Sequence, residues 1–250
     1  MTPEQIHQST DMTGRVAVVT GASSGIGRAI ALALSHQGVQ LCVVGRDPAR
    51  LAETASAARQ FSRVTDFQID LTAEEGFHPL VRHLERESGR LDILVHCAGV
   101  IHLDLLERAP IADLDLQYRT NVRAPYLMTQ RLLPLLTQAR GQIVFINSSA
   151  GLTAKRPEVG QYAATKHALR AVADSLREEV NPKGIRVLSL YLGRTATPLQ
   201  EALYRQQGTN YHPETLLQPE DVASMVVYAL RMPPTAELTD ICMRPMQKSY

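Results

Sequence analysis

The chain lacks a block of like charge, a cysteine framework and any apolar run of membrane-spanning length. Its 26 Lys and Arg stand against 25 Asp and Glu, a formal net charge of +1 spread along the sequence. Neither nucleic acid nor an anionic membrane is indicated as a partner by that balance. Cysteine occurs three times, as Cys42, Cys97 and Cys242. The odd count and the lack of metal-ligand spacing argue against a disulfide scaffold and give no metal site. Cys42 and Cys97 lie inside apolar runs and read as buried thiols, a usage that fits a reducing compartment. No run approaches the ~18 apolar residues of a membrane span, and the polar start (Thr2, Glu4, Gln5, His7, Gln8) lacks the features of a signal peptide. By default, the expectation is a cytoplasmic protein.

What is present is ordinary for a globular chain: 44% apolar and 20% charged residues over 250 positions. Residues 1–13 read as a flexible leader and 14–250 as a single domain. Short apolar runs, RVAVVT from Arg15, LCVVG from Leu41, LDILVHC from Leu91, GQIVFIN from Gly141 and IRVLSLY from Ile185, alternate with helical patterns. Weaker runs at 63–70 and 239–243 supply two further strands. Apolar residues recur at helical spacing after Ile26, through 112–138, through 160–181 and through 219–231. Near-continuous apolar strands are those buried on both faces of a sheet, and strand–helix alternation builds right-handed βαβ units. The predicted fold is therefore α/β: a doubly wound Rossmann fold, single domain, with a mostly parallel seven-stranded sheet and helices on both faces. The stretch 198–218 breaks the alternation and reads as an insertion over the sheet edge.

The first strand runs into Gly21-Ala22-Ser23-Ser24-Gly25-Ile26-Gly27, with a helix after it. Glycines there allow the tight turn, the approach of a pyrophosphate and close helix–strand packing, and the helix N-terminus offers unpaired N–H groups to phosphate. The second strand ends in Gly45-Arg46-Asp47. A carboxylate at this strand end suits a free ribose 2′-OH and an arginine a 2′-phosphate. Asp47 is either that carboxylate or the N-cap of the helix begun by Pro48, and the capping role is preferred. Arg46 then favours NADP(H) as cofactor.

Tyr162 and Lys166, four apart in the 160–181 pattern, share a helix face. A tyrosine ionises near pH 10, so acid–base work near neutrality calls for a positive neighbour. Lowering the pKa by about three units takes roughly 4 kcal/mol. Ser149, thirteen residues before Tyr162, falls just past the fifth strand, where an open α/β sheet holds its ligand; Ser148 is the substitute beside it. Asn121 lies within the 112–138 helical pattern.

Together these residues resemble the short-chain dehydrogenase/reductase family, in its NADP(H)-preferring subgroup. The matching stretches are TGASSGIG at 20–27, Asp70-Leu71, the CAG of Cys97, Ala98 and Gly99, Asn121, Ser149, YAATK at 162–166, and Thr195 with Thr197, in the family's order across about 14–245. The resemblance implies that Tyr162 is the acid/base and that Lys166 lowers its pKa and binds the nicotinamide ribose. It also implies that Ser149 polarises the substrate oxygen, Asn121 holds a relay water, Asp70 contacts the adenine and Thr197 the carboxamide. It implies a small carbonyl or alcohol as substrate, and a homodimer or homotetramer. The chain departs from the family where His96-Cys97 replaces two asparagines and Leu192 replaces a proline; for His96 a structural role is favoured over a catalytic one.

Pro198–Gln218 is expected to be a substrate lid, with Leu199, Leu203, Tyr204 and Tyr211 lining an apolar pocket. Gln200, Gln206 and Gln207 would face water, and Gly208 would break a short helix at about 197–207. Lys155 and Arg156 are either contacts for an acidic substrate or solvated surface, the latter preferred. Two other readings are an NADP(H)-binding regulator without turnover and sugar-nucleotide epimerisation. The intact Asn121, Ser149, Tyr162 and Lys166 set argues against the first, and the shortness of the insertion against the second.

Overall fold

The computed structural model describes residues 11–247. Its seven strands are β1 (Val16–Thr20), β2 (Gln40–Gly45), β3 (Val64–Gln68), β4 (Ile93–His96), β5 (Gln142–Ser148), β6 (Arg186–Leu192) and β7 (Asp240–Met243). They form one sheet in the order β3-β2-β1-β4-β5-β6-β7, and every pairing is parallel. The central strands β1 and β4 are buried throughout, as their unbroken apolar runs require. The two edge strands alternate with partly exposed residues, which is why 63–70 and 239–243 gave the weaker signals.

The helices are α1 (Gly25–Ser35), α2 (Pro48–Ala58), α3 (His78–Glu87), α4 (Ile111–Tyr118), α5 (Ala124–Ala139), α6 (Gly160–Val180), α7 (Pro198–Gln206) and α8 (Pro219–Leu230). Strand side chains alternate between faces, so β1 feeds two cores. Ala17 and Val19 join Ile30 and Leu34 of α1 and Val222 and Val226 of α8 on one face. Val16 and Val18 join Leu80 and Leu84 of α3, Met128 and Leu132 of α5 and Leu169 of α6 on the other.

Two expectations change. Of the proposed leader, residues 1–10 lie outside the described residues, while Met12 is anchored in the first core at 2% exposure. The 112–138 helix is not continuous: α4 and α5 are joined by a π-helical turn, Arg119–Arg123. A π turn widens the helix by one residue and rotates the next segment, and such turns often mark functional sites. This one carries Asn121 into the interior, 1% exposed.

The chain crosses over between β1 and β4, where the strand order reverses. A crevice beyond the carboxyl ends of the strands at this switch point is the standard ligand position of an open α/β sheet.

Candidate active site

Two cavities of about 380 and 320 Å³ open there, and both are lined by Ile26, Cys97, Gly99, Val100, Thr197 and Leu199, so they are one groove with two ends. The sizes suit small-molecule sites.

The nucleotide end is made of consecutive backbone. Gly21, Ser23, Ser24, Gly25, Ile26 and Gly27 line it, with Arg46, Asp70, Leu71, Cys97, Ala98, Gly99 and Thr197 from the following strand ends. Gly21 has φ +69°, and a Cβ there would lie 2.8 Å from the Ala98 nitrogen; only glycine fits both conditions. Thr20 fastens the loop to β4: its hydroxyl donates to the Val95 carbonyl (3.2 Å) and accepts from the Cys97 (3.0 Å) and Ala98 (3.2 Å) amides. The Ser23 hydroxyl is packed where any Cβ on Gly45 would stand. Ser23 Oγ and Thr120 Oγ1 are buried and have no hydrogen-bond partner among the described residues, and both residues line this end. Orphaned hydroxyls, a glycine cradle and the N-terminus of α1 form a donor set that fits a dinucleotide pyrophosphate.

Asp47 is the N-cap: its carboxylate accepts from the Arg50 amide at 3.2 Å and lies 3.5 Å from the Arg50 guanidinium. Arg46 is exposed at the groove wall, and Arg50 stands beside it, a lining residue that the sequence reading missed. Its one sequence signal was its place three residues after a capping aspartate. The Asp70 carboxylate accepts from the Thr72 amide (2.9 Å) and hydroxyl (2.8 Å), which hold it below the usual carboxylate range.

The reacting end is made of side chains from distant elements. Tyr162 and Lys166 reach it from α6, Ser148 and Ser149 from the end of β5, and Thr195 from beyond β6. The Ser148 hydroxyl caps the following turn, accepting from the Ala150 amide at 3.1 Å. Ser149, one position further round the turn, is exposed to the cavity, and both serines line it together with Tyr162.

Burial pushes the Tyr162 phenol up to about 12, opposed by the nearby Ser148 hydroxyl. Lys166 Nζ lies 5.8 Å from the ring centroid and donates to the Ile146 carbonyl at 3.3 Å, and burial takes the ammonium itself down to about 8. In the polypeptide alone, desolvation wins at both groups.

Asn121 is fully engaged: its amide donates to the Val100 carbonyl (2.9 Å) and the Thr165 hydroxyl (3.1 Å), and its Oδ1 accepts from the Val100 amide (2.9 Å). Its side chain positions the β4–α4 loop against α6. His96 is 5% exposed, stacks on Phe145 with centroids 4.9 Å apart, and bonds Thr129 Oγ1 at 2.8 Å. That is the structural role favoured for it.

Thr197 caps α7 by accepting from the Gln200 amide at 3.2 Å. The excursion containing α7 is closed at its base, where Thr195 pairs with Leu217 and Ala196 donates to the Leu217 carbonyl at 2.8 Å. Leu199 and Leu203 line the reacting end, and Gly208, φ +64°, follows the helix as expected. Three assignments are corrected. Tyr204 and Tyr211 are not lining residues; the Tyr204 hydroxyl accepts from Arg194 Nη1 at 3.0 Å and its ring meets Tyr211 edge-on at 5.5 Å. Gln200, expected in water, lines the cavity, while Gln207, Lys155 and Arg156 line its mouth and are exposed to solvent as expected.

This chain matches the short chain dehydrogenase family over residues 15–208. A Staphylococcus saprophyticus protein described as an uncharacterized oxidoreductase is 31% identical to it over 239 residues, covering 94% of this chain and 99% of that one. Among solved structures, an alcohol dehydrogenase from Thermococcus sibiricus complexed with 5-hydroxy-NADP superposes with TM-score 0.84. It is 26% identical, over 94% of this chain and 99% of that one. The L-sorbose reductase of Gluconobacter frateurii, complexed with NADPH and L-sorbose, gives TM-score 0.86 at 25% identity, over 97% and 100%. The protein belongs to the short-chain dehydrogenase/reductase family and is an oxidoreductase. No helix among the described residues is long and apolar enough to cross a membrane, and no cluster of metal-ligating side chains occurs among them.

Proposed function

We propose that the protein is an NADP(H)-dependent reductase or dehydrogenase acting on a ketone, aldehyde or secondary alcohol, with Tyr162 as its general acid/base. The observation that carries this reading is the convergence of Tyr162, Ser149 and the buried Lys166 on one end of a groove whose other end presents Arg46. Bound nicotinamide would supply the two-electron hydride chemistry. Ser149 donates a hydrogen bond to the substrate oxygen, which orients it and favours the charge that develops there. In the direction of reduction, Tyr162 gives its proton to that oxygen as the carbon gains hydride, and the phenolate left behind is stabilised by Lys166. In the direction of oxidation, the phenolate takes the proton back.

A 2′-phosphate suits Arg46, backed by Arg50, because a guanidinium meets phosphate through charge-assisted hydrogen bonds. The only carboxylate adjacent in sequence, Asp47, is committed to its cap. The solved neighbours in complex with 5-hydroxy-NADP and NADPH support the same choice. Leu203 and Leu199 on α7 line the reacting end, where closure of α7 over a bound substrate would exclude water. The test is NADPH consumption over a panel of ketones and aldehydes, alongside thermal-shift titration with NADPH and NADH. Turnover absent across the panel, or stabilisation by NADH exceeding that by NADPH, would overturn the reading.

A further inference from the structure

The reacting end of the groove carries a one-sided set of charges. Lys155, Arg156 and Arg194 line it together with Lys166, and neither an Asp nor a Glu does. Lys166 is buried beneath Tyr162 and belongs to the chemistry. The other three stand around the cavity from two directions: Lys155 and Arg156 on the loop between β5 and α6, Arg194 at the foot of α7.

Lys155 and Arg156 are exposed, and neither side chain has an ion-pair partner among the described residues. Several arginines facing solvent behave otherwise: Arg59, Arg63, Arg108, Arg123 and Arg131 each meet a carboxylate. Their loop is held in place. The Arg156 amide donates to the Ala154 carbonyl at 2.8 Å, and the Glu158 carbonyl accepts from the Asp104 amide at 3.1 Å. Glu158 has φ +66°, a left-handed conformation that a non-glycine residue keeps only where its surroundings impose it. Arg194 is braced across the cavity by Tyr204, through the 3.0 Å hydrogen bond and a 5.6 Å cation–ring contact.

Two cations on a pinned loop, facing a braced third across a cavity without acids, form a receptor for negative charge. They are not needed for the nucleotide phosphates, since the other end has its own donors in the glycine loop, Arg46 and Arg50. We infer that the substrate is an anionic carbonyl compound, whose carboxylate or phosphate meets Lys155, Arg156 and Arg194 while its carbonyl lies at Tyr162 and Ser149. This rests on the reductase reading above.

The experiment pairs charged probes with neutral counterparts: levulinate against methyl levulinate, and dihydroxyacetone phosphate against dihydroxyacetone. kcat/KM is measured for each in the parent and in Lys155→Gln/Arg156→Gln. Binding of the same probes to the NADPH-saturated Tyr162→Phe protein, with and without that double substitution, is followed by calorimetry. At least one charged probe should exceed its neutral counterpart by about tenfold or more, a single 1.36 kcal/mol step. The double variant should bring that ratio near one, and Lys155→Arg/Arg156→Lys should retain it. The pair with the larger ratio identifies carboxylate or phosphate.

Parent ratios near one for both pairs, or a ratio that survives the double substitution, would overturn the inference. A loss of NADPH affinity in the double variant as large as its loss of probe affinity would overturn it too, because the cations would then serve the cofactor. Turnover without charge preference defeats this inference and leaves the reductase reading standing. Charge-selective binding without turnover of any probe or panel compound defeats the reductase reading instead.

Discussion

The two ends of the groove are built by different means. The nucleotide end is the more local: one glycine loop, one strand-end arginine and the first turn of α1, all within Gly21–Arg50, supply the largest share of its wall from any one stretch of chain. The reacting end is assembled from the tip of β5, the first turn of α6, the start of α7 and the loop after β4. A local site presents main-chain groups whose geometry the turn itself fixes. An assembled site presents side chains whose directions depend on how remote elements pack. The first is hard to misread from sequence, and the second is tuned by burial, as the opposite shifts of Tyr162 and Lys166 show.

The most disruptive way to separate the two ends is Tyr162→Phe. General acid–base catalysis is worth about 10²–10⁴-fold, so single-turnover hydride transfer should fall by that factor while the Kd for NADPH changes by less than about threefold. Comparable losses in both measurements would mean that the ends are not separable.

Next in size is the choice between the two serines. Removing one donor to a developing oxyanion typically lowers kcat by about 10²–10³-fold. Ser149→Ala should show such a loss and Ser148→Ala should stay within about threefold of the parent. The reverse ranking would move the role to Ser148.

These comparisons trace what the sequence could and could not reveal. The strands were legible because burial on both faces leaves unbroken apolar runs, and the glycine loop because steric exclusion at Gly21 admits one residue type. Tyr162 and Lys166 were legible because helical spacing alone puts them on one face. Two adjacent hydroxyls at the end of β5 were less legible, because Ser148 and Ser149 both line the cavity. The break in the 112–138 pattern was hidden because a π turn leaves apolar periodicity nearly intact on either side. Tyr204 and Gln200 were misassigned because the inward face of α7 is fixed by the Thr195–Leu217 closure and the Arg194 brace, both outside the helix.

At the nucleotide end, Arg46→Asp should invert the cofactor preference. A carboxylate would repel a 2′-phosphate and accept from a free 2′-OH, and juxtaposed like charges cost several kcal/mol. The ratio of kcat/KM for NADPH over NADH should fall about a hundredfold, close to 2.7 kcal/mol. An unchanged ratio would shift the discrimination to Arg50 or to Ser23.

The smallest effect expected lies at the seam between the ends, where β4 finishes in His96. Burial takes this imidazole down to about 3 from an ordinary value of 6.5. Below pH 6.5 the unfolded chain takes up a proton that the folded site refuses, so stability attributable to His96 falls as pH drops from 6.5 toward 3 and is level above that window. One unit below 6.5, at pH 5.5, the loss approaches about 1.4 kcal/mol. Replacing His96 by Asn removes the titration but also the 4.9 Å stack on Phe145, so the variant should be less stable than the parent at neutral pH. The discriminating quantity is the difference between the two urea-unfolding free energies as a function of pH. It should be constant above pH 7 and shrink steadily below 6.5 as the parent alone acquires the proton-linked loss. A difference that stays constant down to pH 5 would mean that His96 is protonated in the folded protein, and that the seam between the two ends is wetter than its 5% exposure implies.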